Sequence, residues 1–354
     1  MRGLVLSGGA GTRLRPITHT AAKQLVPVAN KPVLFYGLEA MRAAGITEVG
    51  IVVGDTHAEI EAAVGDGSRF GLEVTYIPQE APLGLAHAVL ISEAFLGDEP
   101  FVMYLGDNLL KEGITPFVQA FEAGHPDALI LLQKVADPQS YGIAELDGDG
   151  RVSRLVEKPA EPRSDLALVG VYLFTPAVFE SVKAIVPSAR GELEITDAIQ
   201  HMVDRGLRVE PHRVTGWWKD TGKLEDMLEA NRLVLSMLSR DVHGELSDCT
   251  VEGAVQIGEG SVLERCTVRG PVVIGRGCRL SDTFVGPYTS ISDGVVVENA
   301  ELEHSIVLEN SRISHLGRRM ADSLIGRDCV IAHSDARPVA YRFMVGDSSQ
   351  IGIL

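Results

Sequence analysis

The sequence predicts an α/β domain with a mixed, mostly parallel sheet, followed by a second domain of short parallel strands. In the first 240 residues, apolar segments with the period of strands alternate with segments that have the period of helices. Beyond residue 244, single aliphatic residues recur every five or six positions instead. A chain of 354 residues is long for a single core. We therefore expect two domains, residues 1–240 and residues 241–354.

The first predicted domain has the alternation of a Rossmann-like sheet, in which helices cross over between parallel strands. Its first half predicts strands at residues 4–6, 46–53, 72–77 and 101–105, with helices at 33–44, 58–64 and 84–95. Residues 128–174 hold closely spaced strands, which we interpret as an inserted, partly antiparallel layer that covers the ligand crevice. Helices at 177–185, 194–204 and 223–239 and strands at 209–214 and 216–219 complete the domain.

In the second domain, each aliphatic residue of the repeat fits the interior position of one short rung. Glycine often follows it at the corner, as in Ile257-Gly258 and Ile274-Gly275. This repeat resembles the hexapeptide left-handed parallel β-helix. An ordinary β-sandwich would need longer strands, with turns about every 8–12 residues. We expect the β-helix to serve assembly into a homo-oligomer, and His304 and His315 are candidate bases if it catalyses acyl transfer.

The composition limits the kinds of partner. Lys and Arg number 32 against 48 Asp and Glu, which gives a net charge of −16. Such an acidic surface argues against nucleic acid, because duplex binding depends on neutralising phosphates. No apolar run reaches the length of about 20 residues that a membrane span needs, and no cleavable signal pattern precedes the first strand. The four cysteines lack metal-ligand spacing. We expect a cytoplasmic protein that binds neither nucleic acid nor membrane.

A glycine-rich loop, Ser7-Gly8-Gly9-Ala10-Gly11-Thr12-Arg13-Leu14-Arg15, follows the first predicted strand. Glycines allow backbone N–H groups to approach an anion, and arginine offers a planar fork of donors for phosphate oxygens. The loop lacks the Gly-Lys-Ser/Thr of a P-loop and the third glycine of a dinucleotide-binding loop. An ordinary tight turn is the alternative, but such a turn has no use for these cations. The loop is therefore predicted to bind phosphate.

Residues 8–14 of this loop, together with Lys23 and the segment from Pro27 to Pro32, resemble the signature of the sugar-phosphate nucleotidyltransferases. The resemblance recurs at several separate motifs of the first domain. Within that family, the chain is most similar to the enzymes that join dTTP and glucose 1-phosphate. The resemblance implies these small molecules as substrates, Mg²⁺ as cofactor, and dTDP-glucose and pyrophosphate as products, in deoxysugar biosynthesis for natural products.

The resemblance also implies a nucleotide site and a metal site. The nucleotide is expected to contact Ser7, Gly8, Gly9, Gly11, Thr12, Gln79, Gly84 and Asp107. Asp107 follows a predicted buried strand, where a carboxylate can hold a divalent cation against a triphosphate, and a simple turn aspartate is the alternative. Asp220, in Lys219-Asp220-Thr221, is implied as the second metal ligand.

Nucleotidyl transfer needs aligned reactants and cations more than acid–base chemistry, because the attacking sugar phosphate is already an anion. The resemblance implies Arg13, Lys23 and Lys158 as the catalytic residues. Arg13 is expected to hold the β- and γ-phosphates, Lys23 to contact phosphate, and Lys158 to bind the sugar phosphate. Arg15 is either a further phosphate contact or a solvated surface residue.

Gln79 and Gly84 are implied to bind the base, since an amide can pair with a pyrimidine edge and glycine admits the base to the backbone. Leu83 and His87 depart from the residues usual in thymidylyl enzymes, which leaves the choice between dTTP and UTP open. His87 is interpreted as a helix-face residue.

The sugar site is implied to comprise Tyr141, Gly142, Glu157 and Leu168, with Glu157 accepting hydrogen bonds from hexose hydroxyls. The run from Pro187 to Asp197 matches the same branch, but its residues indicate no chemical role.

Two other functions stay open on the residues alone. The chain could sense a sugar nucleotide without turnover, although the cations and carboxylates above argue against that. It could also combine nucleotidyl transfer with acetyl transfer in the second domain. Pyrophosphate release separates the sensor from the enzyme, and consumption of acetyl-CoA would reveal the bifunctional protein.

Overall fold

The computed structural model describes residues 1–9, 11–15, 17–19 and 22–333, apart from the side chains of Thr12 and His19. The described residues form two units. Unit 1 comprises residues 1–9, 22–25 and 33–220, and unit 2 comprises residues 11–15, 17–19, 26–32 and 221–333. The last residues of the predicted second domain, 334–354, lie outside the described part.

Strands and helices alternate along the first 235 residues of the chain. The strands are β1 Arg2–Ser7, β2 Pro27–Val28, β3 Lys31–Pro32, β4 Glu48–Val53, β5 Glu73–Pro78, β6 Phe101–Leu105, β7 Asn108–Leu110, β8 Ala128–Lys134, β9 Gly142–Leu146, β10 Val152–Glu157, β11 Leu166–Phe174, β12 Val209–Arg213 and β13 Trp218–Asp220. The helices are α1 Val33–Ala43, α2 His57–Val64, α3 Leu85–Ile91, α4 Glu93–Leu96, α5 Thr115–Gly124, α6 Val178–Ala184, α7 Ile195–Asp204 and α8 Leu224–Leu235.

A nine-stranded mixed sheet forms the centre of unit 1, with the order β10-β9-β11-β6-β1-β4-β5 and with β8 joining β11 to β12. Strands β1, β4, β5 and β6 pair in parallel, so their carboxyl ends lie at one edge of the sheet. The predicted α/β, Rossmann-like class is confirmed. In such sheets, ligands bind beyond the carboxyl ends of the strands.

Strands β8 to β11 belong to this same sheet. Strand β11 pairs antiparallel with β6 on one side and with β8 and β9 on the other. The expected antiparallel pairing is confirmed, but the expectation of an inserted layer that covers the crevice is wrong, because these strands extend the main sheet. The reason is the sequence Leu166-Ala-Leu-Val-Gly-Val-Tyr-Leu-Phe174, which is buried along its whole length and apolar on both faces. A strand of that kind lies inside a sheet that is covered on both sides.

The two faces of the sheet carry separate cores. Alternate residues of β1 divide between them, since Leu4 and Leu6 pack with α3, α6 and α7 while Val5 packs with α1, α2 and α5. This alternation arises because successive side chains of a strand point to opposite faces of the sheet. Unit 1 is therefore an α/β/α arrangement, with the loops at the carboxyl edge left to form a site.

Unit 2 contains the parallel β-helix that the repeat predicts. Its strands are β14 Asp241–Val242, β15 Glu245–Ser247, β16 Thr250–Glu252, β17 Val255–Ile257, β18 Val262–Glu264, β19 Thr267–Arg269, β20 Val272–Ile274, β21 Arg279–Ser281, β22 Phe284–Val285, β23 Thr289–Ile291, β24 Val296–Glu298, β25 Glu301–Leu302, β26 Ile306–Val307, β27 Arg312–Ser314, β28 Leu324–Ile325 and β29 Val330–Ala332. They stack into three parallel sheets, of six, six and four strands.

One coil of this β-helix spans 17 residues where Val255 pairs with Val272. The aliphatic repeat residues, such as Leu263, Val268 and Ile274, form the interior. This arrangement is the one expected of a left-handed β-helix with five- or six-residue rungs. The longest helix among the described residues, α8, has 12 residues, and none of the described helices could cross a membrane.

Candidate active site

The site is built at the carboxyl edge of the unit 1 sheet. Ser7 ends β1 opposite Val53 of β4, and Val53 lies opposite Pro78 of β5. On the other side of β1, Leu6 lies opposite Leu105 of β6. The loops after these strands carry Gly8, Gln79 and Asp107, so strand register brings three predicted site residues to one edge.

The loop after β1 is packed closely against its neighbours. A side-chain carbon added to Gly8 would lie 3.3 Å from Gln79 Oε1, and one added to Gly9 would lie 2.9 Å from Lys23 Cε. Ser7 is fully buried, and its Oγ has no hydrogen-bond partner within the described ranges. A buried hydroxyl with no partner costs free energy, so this group fits a site that a polar ligand completes.

Lys23 lies in the 3-10 turn Lys23–Leu25, where its Nζ contacts Asp107 Oδ2. The Asn108 amide donates to the other carboxylate oxygen of Asp107 at 2.9 Å. Burial raises the pKa of Asp107, but the Lys23 ammonium and these hydrogen bonds outweigh burial and hold that pKa below its usual value. The edge of the sheet therefore holds an ionised carboxylate beside a cation.

Strands β7 and β13 form a short antiparallel ladder that carries Asp220. In this ladder Asp220 lies opposite Asn108, the residue after Asp107. Trp218 Nε1 donates to Asn108 Oδ1, so the buried Asn108 amide connects both strands. Asp107 directly precedes β7, so the ladder places its backbone next to the end of β13 that carries Asp220. Three or more His, Cys, Asp or Glu side chains do not cluster as a metal site anywhere in the described part.

The predicted base residues contact each other and a third side chain. Gln79 Nε2 lies 3.3 Å from Gly84 O and 3.0 Å from His87 Nδ1. The interpretation of His87 as a helix-face residue did not include this contact between its ring and the Gln79 amide. His87 lies on helix α3 as expected, and the loop after β5 places the Gln79 side chain against it.

The structure gives a reason for glycine at position 84 that differs from the predicted approach of the base to the backbone. Its φ is +104°, and a side-chain carbon there would lie 2.3 Å from Leu193 O. Leu193 N donates to Leu83 O at 2.8 Å, and Ala86 N donates to Leu193 O at 3.0 Å. Close pairing with the backbone of Leu193 therefore requires this glycine, whether or not a base approaches it.

The predicted sugar residues meet where β9 begins and β10 ends. Gly142 lies opposite Glu157, and a side-chain carbon at Gly142 would lie 2.6 Å from Thr196 Cγ2, 2.9 Å from Glu157 Oε2 and 3.0 Å from Leu168 Cδ1. Tyr141 packs edge-on against Trp218, with ring centroids 5.4 Å apart. This contact connects the sugar residues to the strand that ends at Asp220.

Charged groups surround Glu157. Lys158 Nζ lies 3.6 Å from Glu157 Oε1, Arg190 Nη2 lies 3.4 Å from the same oxygen, and Thr196 Oγ1 lies 3.3 Å from Oε2. Burial raises the pKa of Glu157, and the carboxylate of Glu194 adds to that effect. Lys158 has a φ of +41° and a half-exposed side chain, so its ammonium can reach a ligand.

Arg190, Glu194 and Thr196 were not among the predicted site residues. Arg190 Nη2 lies 2.9 Å from each carboxylate oxygen of the buried Glu194, and Ser188 Oγ donates to Glu194 at 2.7 Å. The match of the run from Pro187 to Asp197 to the thymidylyl enzymes was a signal for these residues. The groups that the run contacts are distant from it in sequence. The structure shows that this run contacts both the Gly84 loop and Glu157.

Gln24 was also missed, although it stands next to Lys23 in the sequence. It is 2% exposed, and its Oε1 has no hydrogen-bond partner in the part of the chain that the structure covers. A side-chain carbon at Gly106 would lie 3.5 Å from Gln24 Cγ. Gln24 therefore lies beside the loop that carries Asp107.

Gly11, Thr12 and Arg13 belong to unit 2. Gly11 has a φ of +63°, and its carbonyl accepts from Leu14 N at 3.0 Å and from Thr18 Oγ1 at 2.7 Å. Thr12 begins the 3-10 turn Thr12–Leu14, and its side chain lies outside the described part. The Arg13 side chain is exposed, so its guanidinium is accessible. Phosphate binding by these residues stays a prediction.

The chain is similar to known nucleotidyltransferases. A family model described as nucleotidyl transferase matches residues 2–237. The glucose-1-phosphate thymidylyltransferase of Streptomyces antibioticus is 55% identical over 355 residues, which cover 100% of this chain and 99% of that protein. The low-salt glycan biosynthesis nucleotidyltransferase of Haloferax volcanii is 51% identical over 99% of each chain.

A solved structure is similar to the first part of the chain. It is the crystal structure of a proposed glucose-1-phosphate thymidylyltransferase from Bacillus anthracis in complex with sucrose. The two structures align with a TM-score of 0.62 and 37% identity, over 65% of this chain and 94% of that chain.

Proposed function

Because the chain belongs to the nucleotidyl transferase family, we propose that it transfers a thymidylyl group from dTTP to α-D-glucose 1-phosphate. The products are dTDP-glucose and pyrophosphate. The observation that carries this proposal is the 55% identity to the Streptomyces antibioticus thymidylyltransferase over the whole chain. The site supports it, because cations, carboxylates and amide groups surround the carboxyl edge of the sheet.

The reaction is an in-line displacement at the α-phosphorus of dTTP. A phosphate oxygen of the sugar phosphate forms the new P–O bond while the bond to the β-phosphate oxygen breaks, and that oxygen leaves with pyrophosphate. The nucleophile is already an anion, so no side chain has to remove a proton. Catalysis then depends on alignment and on positive charge near the transferring and departing phosphates.

Three cations supply that charge in the proposed mechanism. Lys23 contacts the nucleotide phosphates from the edge of the sheet, where Gly9 leaves room for its side chain. Arg13 binds the β- and γ-phosphates and stabilises pyrophosphate as it leaves. Lys158 binds the phosphate of the incoming sugar, next to Glu157. The buried Ser7 hydroxyl gains a partner when the nucleotide binds.

We propose that Asp107 and Asp220 hold Mg²⁺ together with phosphate oxygens and water. Magnesium favours a few carboxylates and several waters over an all-protein cage, and two aspartates, one directly before β7 and one at the end of β13, fit that preference. When bound, the ion neutralises charge on the triphosphate. Lys23 and Asn108 keep Asp107 ionised and oriented before the nucleotide arrives.

The base and the sugar are bound by separate groups in this proposal. Gln79, oriented by His87, pairs with the edge of the pyrimidine, and Gly84 keeps its loop in place through Leu193. Glu157 accepts hydrogen bonds from glucose hydroxyls, beside Tyr141, Gly142 and Leu168.

Pyrophosphate release on mixing dTTP, glucose 1-phosphate and magnesium tests the proposal. The same assay with UTP in place of dTTP tests the second candidate, a uridylyltransferase. Leu83 and His87 depart from the residues usual in thymidylyl enzymes, and His87 contacts Gln79, the residue proposed to bind the base, so that candidate is kept. A preference for UTP of about tenfold or more, which equals about 1.4 kcal/mol, would overturn the choice of dTTP. No pyrophosphate with either nucleotide would favour a sensor.

We also propose that the chain acts as a cytoplasmic homo-oligomer in deoxysugar biosynthesis, with the β-helix serving assembly. The four cysteines are free thiols, which suits a reducing compartment. Light scattering of the full-length protein measures the oligomer, and a monomer at micromolar concentration would contradict this part of the proposal.

A further inference from the structure

Glu59 of helix α2 makes a contact within unit 1 that its local sequence does not predict. The chain enters α2 through Thr56-His57-Ala58-Glu59, which is the pattern of a capping box, where the glutamate bonds the backbone N–H of the first residue. In the described part, Thr56 makes no side-chain bond to the start of α2, and Glu59 Oε2 accepts from the backbone N–H of Ala22 at 2.6 Å. Ala22 lies 37 residues earlier in the same unit. The carboxylate therefore connects α2 to a distant part of the chain.

Ala22 stands at the start of the 3-10 turn Lys23–Leu25. Its carbonyl accepts from Leu25 N at 2.9 Å, which closes the turn, and Ala22 belongs to the same core as Ile60 of α2. Ala22 is 1% exposed, and the N–H groups at the start of a helical turn have no partner inside the turn. A buried N–H without a partner costs free energy, whereas a bond to a carboxylate is stronger than one between neutral groups. Glu59 therefore holds this end of the turn.

Lys23 follows Ala22 directly, and its side chain has little room. A side-chain carbon added to Gly9 would lie 2.9 Å from Lys23 Cε, and the ammonium contacts Asp107 Oδ2. The Lys23 side chain is 16% exposed. Because this side chain is enclosed, it cannot compensate for a displaced backbone by turning into solvent. The position of the ammonium therefore follows the position of the backbone at residues 22 and 23.

The same turn carries a second residue beside the glycine-rich loop. A side-chain carbon added to Gly9 would lie 3.8 Å from Gln24 Nε2, so Gln24 and Lys23 both face that loop. Displacement of a catalytic group by about 1 Å can cost about 10²-fold in rate. A shift at the start of the turn would therefore alter the proposed phosphate site and not only the local packing.

We propose that Glu59 is a positioning residue for binding of the nucleotide phosphates. By accepting the hydrogen bond from the Ala22 N–H, it fixes the backbone that carries Lys23, and so sets where the ammonium meets the phosphates. Glu59 acts through Lys23 and contacts neither substrate. This role rests on the proposed thymidylyl transfer, in which Lys23 contacts the phosphates of dTTP.

The test compares three substitutions of Glu59 in the full-length protein. Glu59→Ala removes the acceptor, Glu59→Asp keeps the charge at the start of α2 but is one methylene shorter, and Glu59→Gln keeps an oxygen that can accept. We expect KM for dTTP to rise about tenfold in Glu59→Ala and about fivefold in Glu59→Asp, because the buried Ala22 N–H loses its partner, and about twofold in Glu59→Gln. KM for glucose 1-phosphate should stay within about twofold of wild type in all three.

A double-mutant cycle shows whether the effect of Glu59 passes through Lys23. Calorimetric titration measures the binding of dTTP to Lys23→Ala with and without Glu59→Ala. If Glu59 positions Lys23, Glu59→Ala should weaken binding about tenfold in the wild-type background but less than about twofold in Lys23→Ala. An equal loss in both backgrounds would overturn the inference. Glu61→Ala is the matched control and should bind dTTP as wild type does, because Glu61 Oε2 lies 3.3 Å from Nε2 of the exposed His57 on the same helix.

A purely structural role would give a different result. Glu59→Ala and Glu59→Asp would then melt at lower temperatures than wild type, while KM for dTTP of the folded enzymes stayed within about twofold, which would overturn the inference. Aspartate suits the first turn of a helix, so Glu59→Asp should fold even if Glu59→Ala does not, in which case it decides alone. Absence of pyrophosphate release by the wild-type protein would instead refute the proposed function. Titration with dTTP would still test Glu59, so the two failures are distinguishable.

Discussion

Asp220 lies directly opposite Asn108 in the ladder of β7 and β13, one residue from Asp107. Asp107 and Asp220 are far apart in sequence, and the short ladder brings their backbones close to each other. Asn108 bonds both Asp107 and Trp218, so it keeps the ladder and the carboxylate in one arrangement.

The first prediction concerns these two carboxylates. Asp107→Asn and Asp220→Asn should each lower kcat by at least about 10²-fold, because charge stabilisation of the phosphates is lost. Far-UV circular dichroism and steady-state pyrophosphate release measure folding and activity. Asp98→Asn, at an exposed position of the same unit, is the matched control. Near-normal activity of a folded Asp107→Asn protein would refute the metal assignment.

The second prediction is a pH dependence of sugar binding. Burial raises the pKa of Glu157, so on acidification it gains a proton at a higher pH than an exposed glutamate. The protonated group accepts hydrogen bonds from hydroxyls poorly. KM for glucose 1-phosphate should therefore rise as the pH falls, and this rise should be smaller in Glu157→Gln. The sugar phosphate titrates in the same way in the assays of both proteins. Equal dependences of KM on pH would therefore exclude the role of Glu157 in sugar binding.

The third prediction follows from the same pKa shift and concerns stability. The folded-state pKa of Glu157 lies above the unfolded one, so the stability that it contributes is present below about pH 4 and is lost as the pH rises through the folded pKa. Glu157→Gln should therefore melt at a higher temperature than wild type at neutral pH. The difference should shrink toward pH 4 in calorimetric scans, and Glu161→Gln, at an exposed site, should show no such trend.

The fourth prediction tests the packing of Gly84. Gly84→Ala places a carbon where the structure has Leu193 O at 2.3 Å, in a backbone conformation with φ +104°. We expect it to destabilise unit 1 by at least about 2 kcal/mol and to weaken dTTP binding. Gly148→Ala is the control, because no atom lies within 4 Å of its added carbon. Equal urea midpoints for the two variants would contradict the pairing with Leu193.

The fifth prediction concerns thiols in the β-helix. Burial raises the pKa of Cys266 to about 11, and Cys266 is 2% exposed. Iodoacetamide at mildly alkaline pH should therefore label the more accessible Cys249 well before Cys266 in the native protein. Peptide mass spectrometry follows both sites, and unfolding in guanidinium should equalise them. Equal labelling rates of Cys249 and Cys266 in the native protein would contradict the stacking of the coils.

Most elements of unit 1 could be predicted because their signals are local. The buried strands β1, β6 and β11 are continuous apolar runs, and α1 and α2 have clear helical spacing. Helix α5 was missed although Phe117, Val118 and Phe121 share one buried face and proline stands in its first turn. The predicted helix 84–95 is two helices, α3 and α4, with Ser92 bonding Ala88 O at the break.

The features that sequence could not predict depend on distant partners. Strand β7 has three residues and exists because β13 pairs with it. The requirement for glycine at position 84 comes from Leu193, and the attachment of the 26–32 hairpin comes from Asn231. The residue types in the sequence indicate which positions carry charge. The side chains that orient those charged groups can be identified only in the folded chain.

The regular stacking of unit 2 has an evolutionary consequence. Val255, Val272 and Thr289 follow one another up one sheet, so a whole coil added or removed between them returns every later strand to its own side. A change of a third of a coil would instead move every later strand to a neighbouring sheet and break its pairing with the strands before it. Gene duplications and losses in this region should therefore survive selection mainly as complete turns, and the length of unit 2 can drift among descendants while unit 1 stays the same.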